Sequence, residues 1–352
     1  MAGEHLSREI AEQPEVLARL LNAGEPRIRE IAAGLAKRWG DVAFMVIAAR
    51  GTSDNAARYA QYLFGASNRL SVALATPSLF TLYESPPDLS RSFTVGISQS
   101  GASPDIVAPV KEARRQGAPT LAITNEPDSP LALAADFVLP LNAGSERSVA
   151  ATKTYTAQLL AMAMLSASLA RPEEADRRWR ELSMVPRWVA ETVGLAGQIG
   201  QQAERFRYLD RLVTSGRGYC YGTAFEAALK LKETCYLLAE PHASADFLHG
   251  PVAIIESGFP ALLVAPTGAA FPDMVAFARP LGERGAELLV VSDSDEALGL
   301  ARTPLRLPAG VPEWLAPIPA IVPCQLLALS LARVKGLDPD RPRGLSKVTL
   351  TY

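Results

Sequence analysis

The chain carries the same pattern twice. The stretch SQSGASPDIVAPVKEARRQGAPTLAITNEPDS aligns with APTGAAFPDMVAFARPLGERGAELLVVSDSDE with little gapping. Gly101 falls on Gly268, Pro104 on Pro272, Asp105 on Asp273 and Gly117 on Gly285. Upstream, ARGTSDNAARYAQYLF resembles CYGTAFEAALKLKETCYL, with the Gly-Thr pairs at Gly51 and Gly222. A long repeat that contains its own strands and helices predicts a duplicated domain. The runs FMVIAA, RLSVALAT, SFTVGIS, PTLAITN and DFVLPLN read as strands of the first copy, and PALLVAPTG and AELLVVSD as strands of the second. Strand–helix alternation with short connections calls for an open, mostly parallel sheet covered on both faces.

Between the copies, residues 145–210 are helical in tone, and LLAMAMLSASLA (residues 159–170) reads as a buried core helix. The charged RPEEADRRWRE reads as a solvated helix surface or linker. REIAEQPEVLARLLNAG predicts an N-terminal amphipathic helix ending at Gly24. No apolar stretch is expected to reach the ~18–20 residues of a membrane span, and the charged N-terminus lacks the apolar core of a signal peptide. A chain of 352 residues is the length of two domains. The formal net charge of -2 argues against a nucleic-acid partner. Three widely spaced cysteines, Cys220, Cys235 and Cys324, form no metal-binding spacing and read as reduced, buried thiols of a cytoplasmic protein. No metal or cofactor is expected.

Three places could carry chemistry. Ser98, Gln99, Ser100 and Ser103 follow an apolar strand and open a helix. Such a loop enters the crevice where open α/β sheets bind ligands, and a helix N-terminus with hydroxyls around it suits an anion. A plain serine-capped helix start has the same spacing. The second copy has Ala-Pro-Thr in place of Ser-Gln-Ser, so the fold itself does not require those hydroxyls. ARGTSDNAARYA has the same layout: Thr52 and Ser53 could touch another part of one ligand, Asp54 would favour the helix start, and Arg50 is either an anion's charge partner or a surface residue. Finally, Glu233 and His249 are the residue types that carry protons near neutral pH. The alternatives are a surface glutamate paired with Lys230 or Lys232, and a histidine in an ordinary turn.

Several motifs in order give a resemblance. REIAEQP, ISQSGASPDIV, LAITNEPDSPLALAAD, NAGSERSVAATKTYTAQL, ALKLKETCYLLAEPHASADFLHGPVAII and DRPRGLSKVTL resemble the double SIS (sugar isomerase) domain proteins, over nearly the whole chain. In particular they resemble the isomerase half of glucosamine-6-phosphate synthase. The resemblance implies two tandem α/β domains, each a mostly parallel five-stranded sheet flanked by helices in a flavodoxin-like three-layer arrangement. They are expected at 1–190 and 191–352, with the C-terminal tail over the active site. It implies that Ser98, Gln99, Ser100 and Ser103 bind the sugar phosphate, that Thr52 and Ser53 lie on the sugar, and that the backbone around Val149 is near its hydroxyls. Glu233 matches the carboxylate that moves a proton between C1 and C2. His249 matches the histidine tied to ring opening, contributed by the neighbouring subunit of a homodimer. Lys347 and Lys230 match active-site lysines.

The departures narrow the expectation. The synthase's glutaminase domain and its nucleophilic cysteine are not in this sequence. The synthase's Cys-Gly-Thr-Ser is here Arg50-Gly51-Thr52-Ser53, a serine near the sugar is Ala151, and the Glu and Lys around Phe247 are Asp246 and Leu248. ARGTSDNA looks more like the stand-alone proteins, which include SIS-type glucosamine-6-phosphate deaminases. The expected activity is therefore conversion of glucosamine 6-phosphate to fructose 6-phosphate and ammonia. Plain aldose–ketose isomerisation, deglycation of a fructosamine phosphate, and a non-catalytic sugar-phosphate sensor are the alternatives.

Overall fold

The computed structural model describes residues 2–347. Val348, Thr349 and Leu350, at the end of the C-terminal motif, lie outside the described residues. The chain forms two compact units that interleave along the sequence. One unit gathers residues 2–14, Arg147–Thr152 and Val185–Leu345; the other gathers Glu15–Glu146, Lys153–Met184 and residues 346–347. We call the latter, which holds the Ser-Gln-Ser loop, the N-terminal unit, and the former the C-terminal unit.

The N-terminal unit is built on β1 (Phe44–Ala48), β2 (Val72–Leu74), β3 (Ser92–Ser98), β4 (Thr120–Thr124) and β5 (Phe137–Pro140), in the order β2-β1-β3-β4-β5. The C-terminal unit repeats this with β6 (Arg211–Gly216), β7 (Leu238–His242), β8 (Pro260–Val264), β9 (Glu287–Ser292) and β10 (Thr303–Arg306), in the order β7-β6-β8-β9-β10. Every strand pair is parallel. The expected duplicated α/β architecture is present.

Burial follows the topology. β3, β4 and β8 are buried along their whole length, as strands covered on both faces must be. Pro140, Pro241 and Pro304 lie in β5, β7 and β10, which are edge strands, where a missing N–H costs no ladder bond. The helix Lys153–Ser168 is buried on nearly every side, which confirms the core helix read at residues 159–170.

Two expectations are corrected. The N-terminal segment is not one helix ending at Gly24 but two, Glu4–Ala11 and Gln13–Ala36, and the second runs through Gly24 and Pro26. Gly24 faces Met164 and Leu20 so closely that an added Cβ would lie 3.2 Å from the first, so packing holds the helix where propensity would break it. An apolar stretch of span length does occur, at Pro317–Val334: its 18 residues have a mean hydropathy of 1.5. It is 83% buried within the protein and is a core helix. Cys220, Cys235 and Cys324 are buried free thiols. Burial pushes Cys235 up to about 11 and Cys324 up to about 12, so both stay protonated and unreactive.

Candidate active site

The strand order reverses direction at β1 and β3 in the N-terminal unit, and at β6 and β8 in the C-terminal unit. The carboxyl ends of strands at such a switch point are where ligands bind in open α/β sheets. In the N-terminal unit, both hydroxyl-bearing segments sit there. Thr52 and Ser53 begin the helix Thr52–Asn68 just after β1, and loop 98–103 joins β3 to the helix Pro104–Arg115.

The loop is shaped by its own serines. Ser98 Oγ accepts from the Gly101 amide at 3.0 Å, and Ser100 Oγ from the Ala102 amide at 3.3 Å. Gly101 has a φ of 61°, and a Cβ there would lie 2.1 Å from Ser129 Oγ, so only glycine lets the loop close. The Gln99 carbonyl accepts from the Asn125 amide at 3.1 Å, tying the loop to the end of β4. Ser103 occupies the N-cap position of its helix, with Pro104 at the first helical position, yet its side chain makes no capping bond. The simple helix-cap reading therefore does not account for Ser103. Ser53 Oγ accepts from Gln158 Nε2 at 3.0 Å, which locks the start of its helix to the core helix Lys153–Ser168.

Arg50 has a definite place. Its Nη2 lies 2.8 Å from Asp105 Oδ2, and Asp105 is 1% exposed. Thr81 Oγ1 is 3.4 Å from the other carboxylate oxygen. The C-terminal unit builds the same group from Arg217, Asp273 and Ser244, with Arg217 Nη1 at 2.9 Å and Ser244 Oγ at 2.6 Å from Asp273 Oδ2. Since the group recurs where the Ser-Gln-Ser is absent, it is a brace of the fold. The same comparison shifts the repeat alignment. Gly51 (φ 53°) matches Gly218 (φ 59°) in backbone conformation and in position after the first strand; Gly222 already lies within the helix Tyr221–Cys235.

That helix carries the acid–base candidates. Glu226, Lys230 and Glu233 are spaced i, i+4, i+7 and share one face. Lys230 Nζ is 3.3 Å from Glu226 Oε1 and 2.6 Å from Glu233 Oε2. The Glu226 and Lys230 side chains are 0% and 2% exposed, whereas that of Glu233 is 22% exposed. Burial opposes the Lys230 charge, but the two carboxylates outweigh it and hold the ammonium above its ordinary range. Glu233 is thus the outer end of a buried charge row. Lys232 is exposed and has no part in it.

The remaining candidates are spread out. His249 ends the short helix Ser244–Leu248 and is exposed; its imidazole has no hydrogen bond or ion pair among the described residues. Val149 is half-buried in the segment Arg147–Thr152. Lys347 Nζ pairs with Glu146 Oε2 at 2.8 Å. Among the described residues, no group of three His, Cys, Asp or Glu side chains converges as a metal centre.

Three positioning residues escaped the sequence reading. Glu226 completes the charge row, and its signal was there: it stands four residues before Lys230. Glu146 anchors Lys347 while also accepting from Thr154 Oγ1 at 2.7 Å. Glu9, 4% exposed, accepts from the amides of Arg147 and Ser148, the latter at 3.2 Å, and so fixes the segment that presents Val149. No local pattern marks Glu9 or Glu146, because their partners are remote in sequence or lie in loops.

Comparison with known proteins identifies the two domains. Residues 44–168 and 206–334 each match the SIS domain. The chain is 34% identical to the glutamine–fructose-6-phosphate aminotransferase [isomerizing] of Thermus thermophilus over 355 residues, covering 97% of this chain and 58% of that protein. It thus spans little more than half the length of the curated relatives it matches. A proposed phosphosugar isomerase of Silicibacter pomeroyi DSS-3 superposes with a TM-score of 0.85 at 35% identity, covering 96% of this chain and 100% of that one. The C-terminal domain of glucosamine-fructose-6-phosphate aminotransferase from Francisella tularensis also gives 0.85, at 27% identity, covering 96% of this chain and 98% of that one. With two matched domains on two five-stranded parallel sheets, the chain belongs to the double SIS domain family.

Proposed function

We propose that the protein is an amino-sugar-phosphate isomerase that releases ammonia, converting glucosamine 6-phosphate and water to fructose 6-phosphate and ammonia. The observation that carries this reading is the row Glu226–Lys230–Glu233. It supplies a partly exposed carboxylate backed by a permanently charged, buried ammonium. A positioned carboxylate of this kind can accept a proton from carbon.

The roles are assigned as follows. Loop 98–103 holds the phosphate through Ser98, Gln99, Ser100 and Ser103, and Thr52 and Ser53 lie on the sugar. Phosphate binding energy is spent on positioning the reacting carbons. His249, from the neighbouring subunit of a homodimer, assists ring opening. Glu233 removes the C2 proton of the open aldose, giving an enaminol, and returns it to C1. The C2 amine is then an imine; water adds to C2 and ammonia leaves. Lys230 holds the Glu233 carboxylate in place through their 2.6 Å ion pair, and Lys347, held by Glu146, serves the sugar end. Support for ammonia release over plain isomerisation comes from ARGTSDNA, which is closer to stand-alone SIS proteins than to the synthase.

The test is to incubate the purified protein with glucosamine 6-phosphate and measure ammonia and fructose 6-phosphate. Equal amounts of both are expected. Interconversion of aldose and ketose phosphates without ammonia would favour the isomerase reading, ammonia or amine only from fructosamine phosphates the deglycase reading, and binding without turnover the sensor.

A further inference from the structure

The two copies of the strand–loop–helix element at the switch point are filled differently. In the N-terminal unit, hydroxyls of the loop itself take the Gly101 and Ala102 amides. In the C-terminal unit, the equivalent loop after β8 receives a carboxylate. Glu313, from the turn Glu313–Leu315 after β10, accepts from the Ala269 amide through Oε2 at 2.9 Å and from the Ala270 amide through Oε1 at 3.0 Å. These amides lead into the thirteen-residue helix Phe271–Glu283. Two oxygens of one anion on two successive amides at a helix start is how a phosphate would also be held. The contact is close: a Cβ on Gly268 would lie 2.2–2.6 Å from Glu313 atoms. The one hydroxyl kept in this loop is also occupied, since Thr267 gives its amide to Asp293 Oδ1 at 2.7 Å and its hydroxyl to Oδ2 at 2.6 Å.

We infer that Glu313 is a built-in occupant of a second anion site created by the duplication. Its carboxylate closes that site to phosphate, so the loop of the C-terminal unit takes a phosphate group only when Glu313 is removed. The physical basis is competition. The two amides can serve one anion, and an intramolecular carboxylate is present at high effective concentration. Asp293 adds a second negative charge that repels an incoming dianion. The parallel with loop 98–103 draws on its reading as a phosphate site, but the test reads only the other unit.

The experiment follows the backbone amide resonances of Ala269 and Ala270 during titration with inorganic phosphate. In the native chain these resonances stay unmoved to millimolar phosphate. In E313A they shift saturably, and the variant binds one phosphate more per chain. The inference is overturned if the native resonances shift saturably, or if folded E313A shows no shift. A native crystal soaked in phosphate gives a check that needs no variant. Phosphate density on the Ala269 and Ala270 amides overturns the inference, and the Glu313 carboxylate remaining there supports it. Failure of loop 98–103 to bind sugar phosphate would leave all these outcomes unchanged, so the two readings fail separately.

Discussion

Replacing Lys230 with methionine is the sharpest probe of the buried charge row. Methionine keeps most of the side-chain volume and removes the ammonium. Glu226, with a fully buried side chain, then loses the cation 3.3 Å away, and Glu233 loses the one at 2.6 Å. Removing one partner of a buried ion pair costs about 3–5 kcal/mol, because the other charge is left uncompensated. The pH dependence has a definite sign. The folded-state pKa of Lys230 is raised above its ordinary 10.5, so its stabilisation is complete below about pH 10.5 and is lost only as pH rises through the higher folded value. The native protein should therefore show no loss from this residue between pH 6 and 9. In K230M the gap to the native protein should narrow as pH falls, because a buried carboxyl that has lost a cation takes its proton more readily. Urea unfolding at pH 7.5 and 5.5 reads both effects. The double variant E226Q/K230M removes the stranded charge and should recover a large part of the loss. A cost below ~1 kcal/mol for K230M, or a double variant no more stable than K230M, would refute the view that this row is a coupled buried network.

Other perturbations separate the remaining roles. E233Q should lower turnover by ~10²–10⁴-fold, the usual worth of a positioned general base, while sugar-phosphate binding by calorimetry is kept; unchanged turnover would remove Glu233 from the mechanism. S98A and S100A should each raise KM for the phosphorylated substrate about tenfold or more, since a hydrogen bond to a charged group is worth about 1.5–3 kcal/mol, with kcat less affected. E9A leaves the Arg147 and Ser148 amides without their acceptor, at about 1–3 kcal/mol; hydrogen exchange of residues 147–152 should speed up, and unchanged exchange would show that Glu9 does not hold this segment.

Much of the fold could be read because its signals are local. Continuous apolar runs marked the central strands β1, β3, β4, β8 and β9, and the polar turns after β1 and β3 marked the carboxyl edge of the first sheet at its switch point. The misses have physical causes. β6 ends in Thr-Ser-Gly, and the buried Thr214 hydroxyl donates to the Ala224 carbonyl at 2.8 Å, a bond no strand pattern displays. β7 and β10 are short edge strands holding a proline each, so they lack the apolar run. The helix through Gly24 was cut short because propensity was weighed without the packing that overrides it.

The sequence by itself determined that an α/β domain is present twice, that only the first copy keeps a Ser-Gln-Ser loop, and which glutamate and histidine are candidates for moving protons. Periodicity and residue type carry the first two, and the resemblance to the double SIS domain proteins singles out Glu233 and His249. Only the tertiary structure decided which charges meet: Lys230 between two carboxylates, Arg50 on Asp105, Glu9 on the amides beside Val149, and Glu313 on the second loop. Each of these but the first joins groups distant in the chain. Hydrogen bonds and ion pairs act over a few ångströms of space, and the chain order alone does not encode that separation.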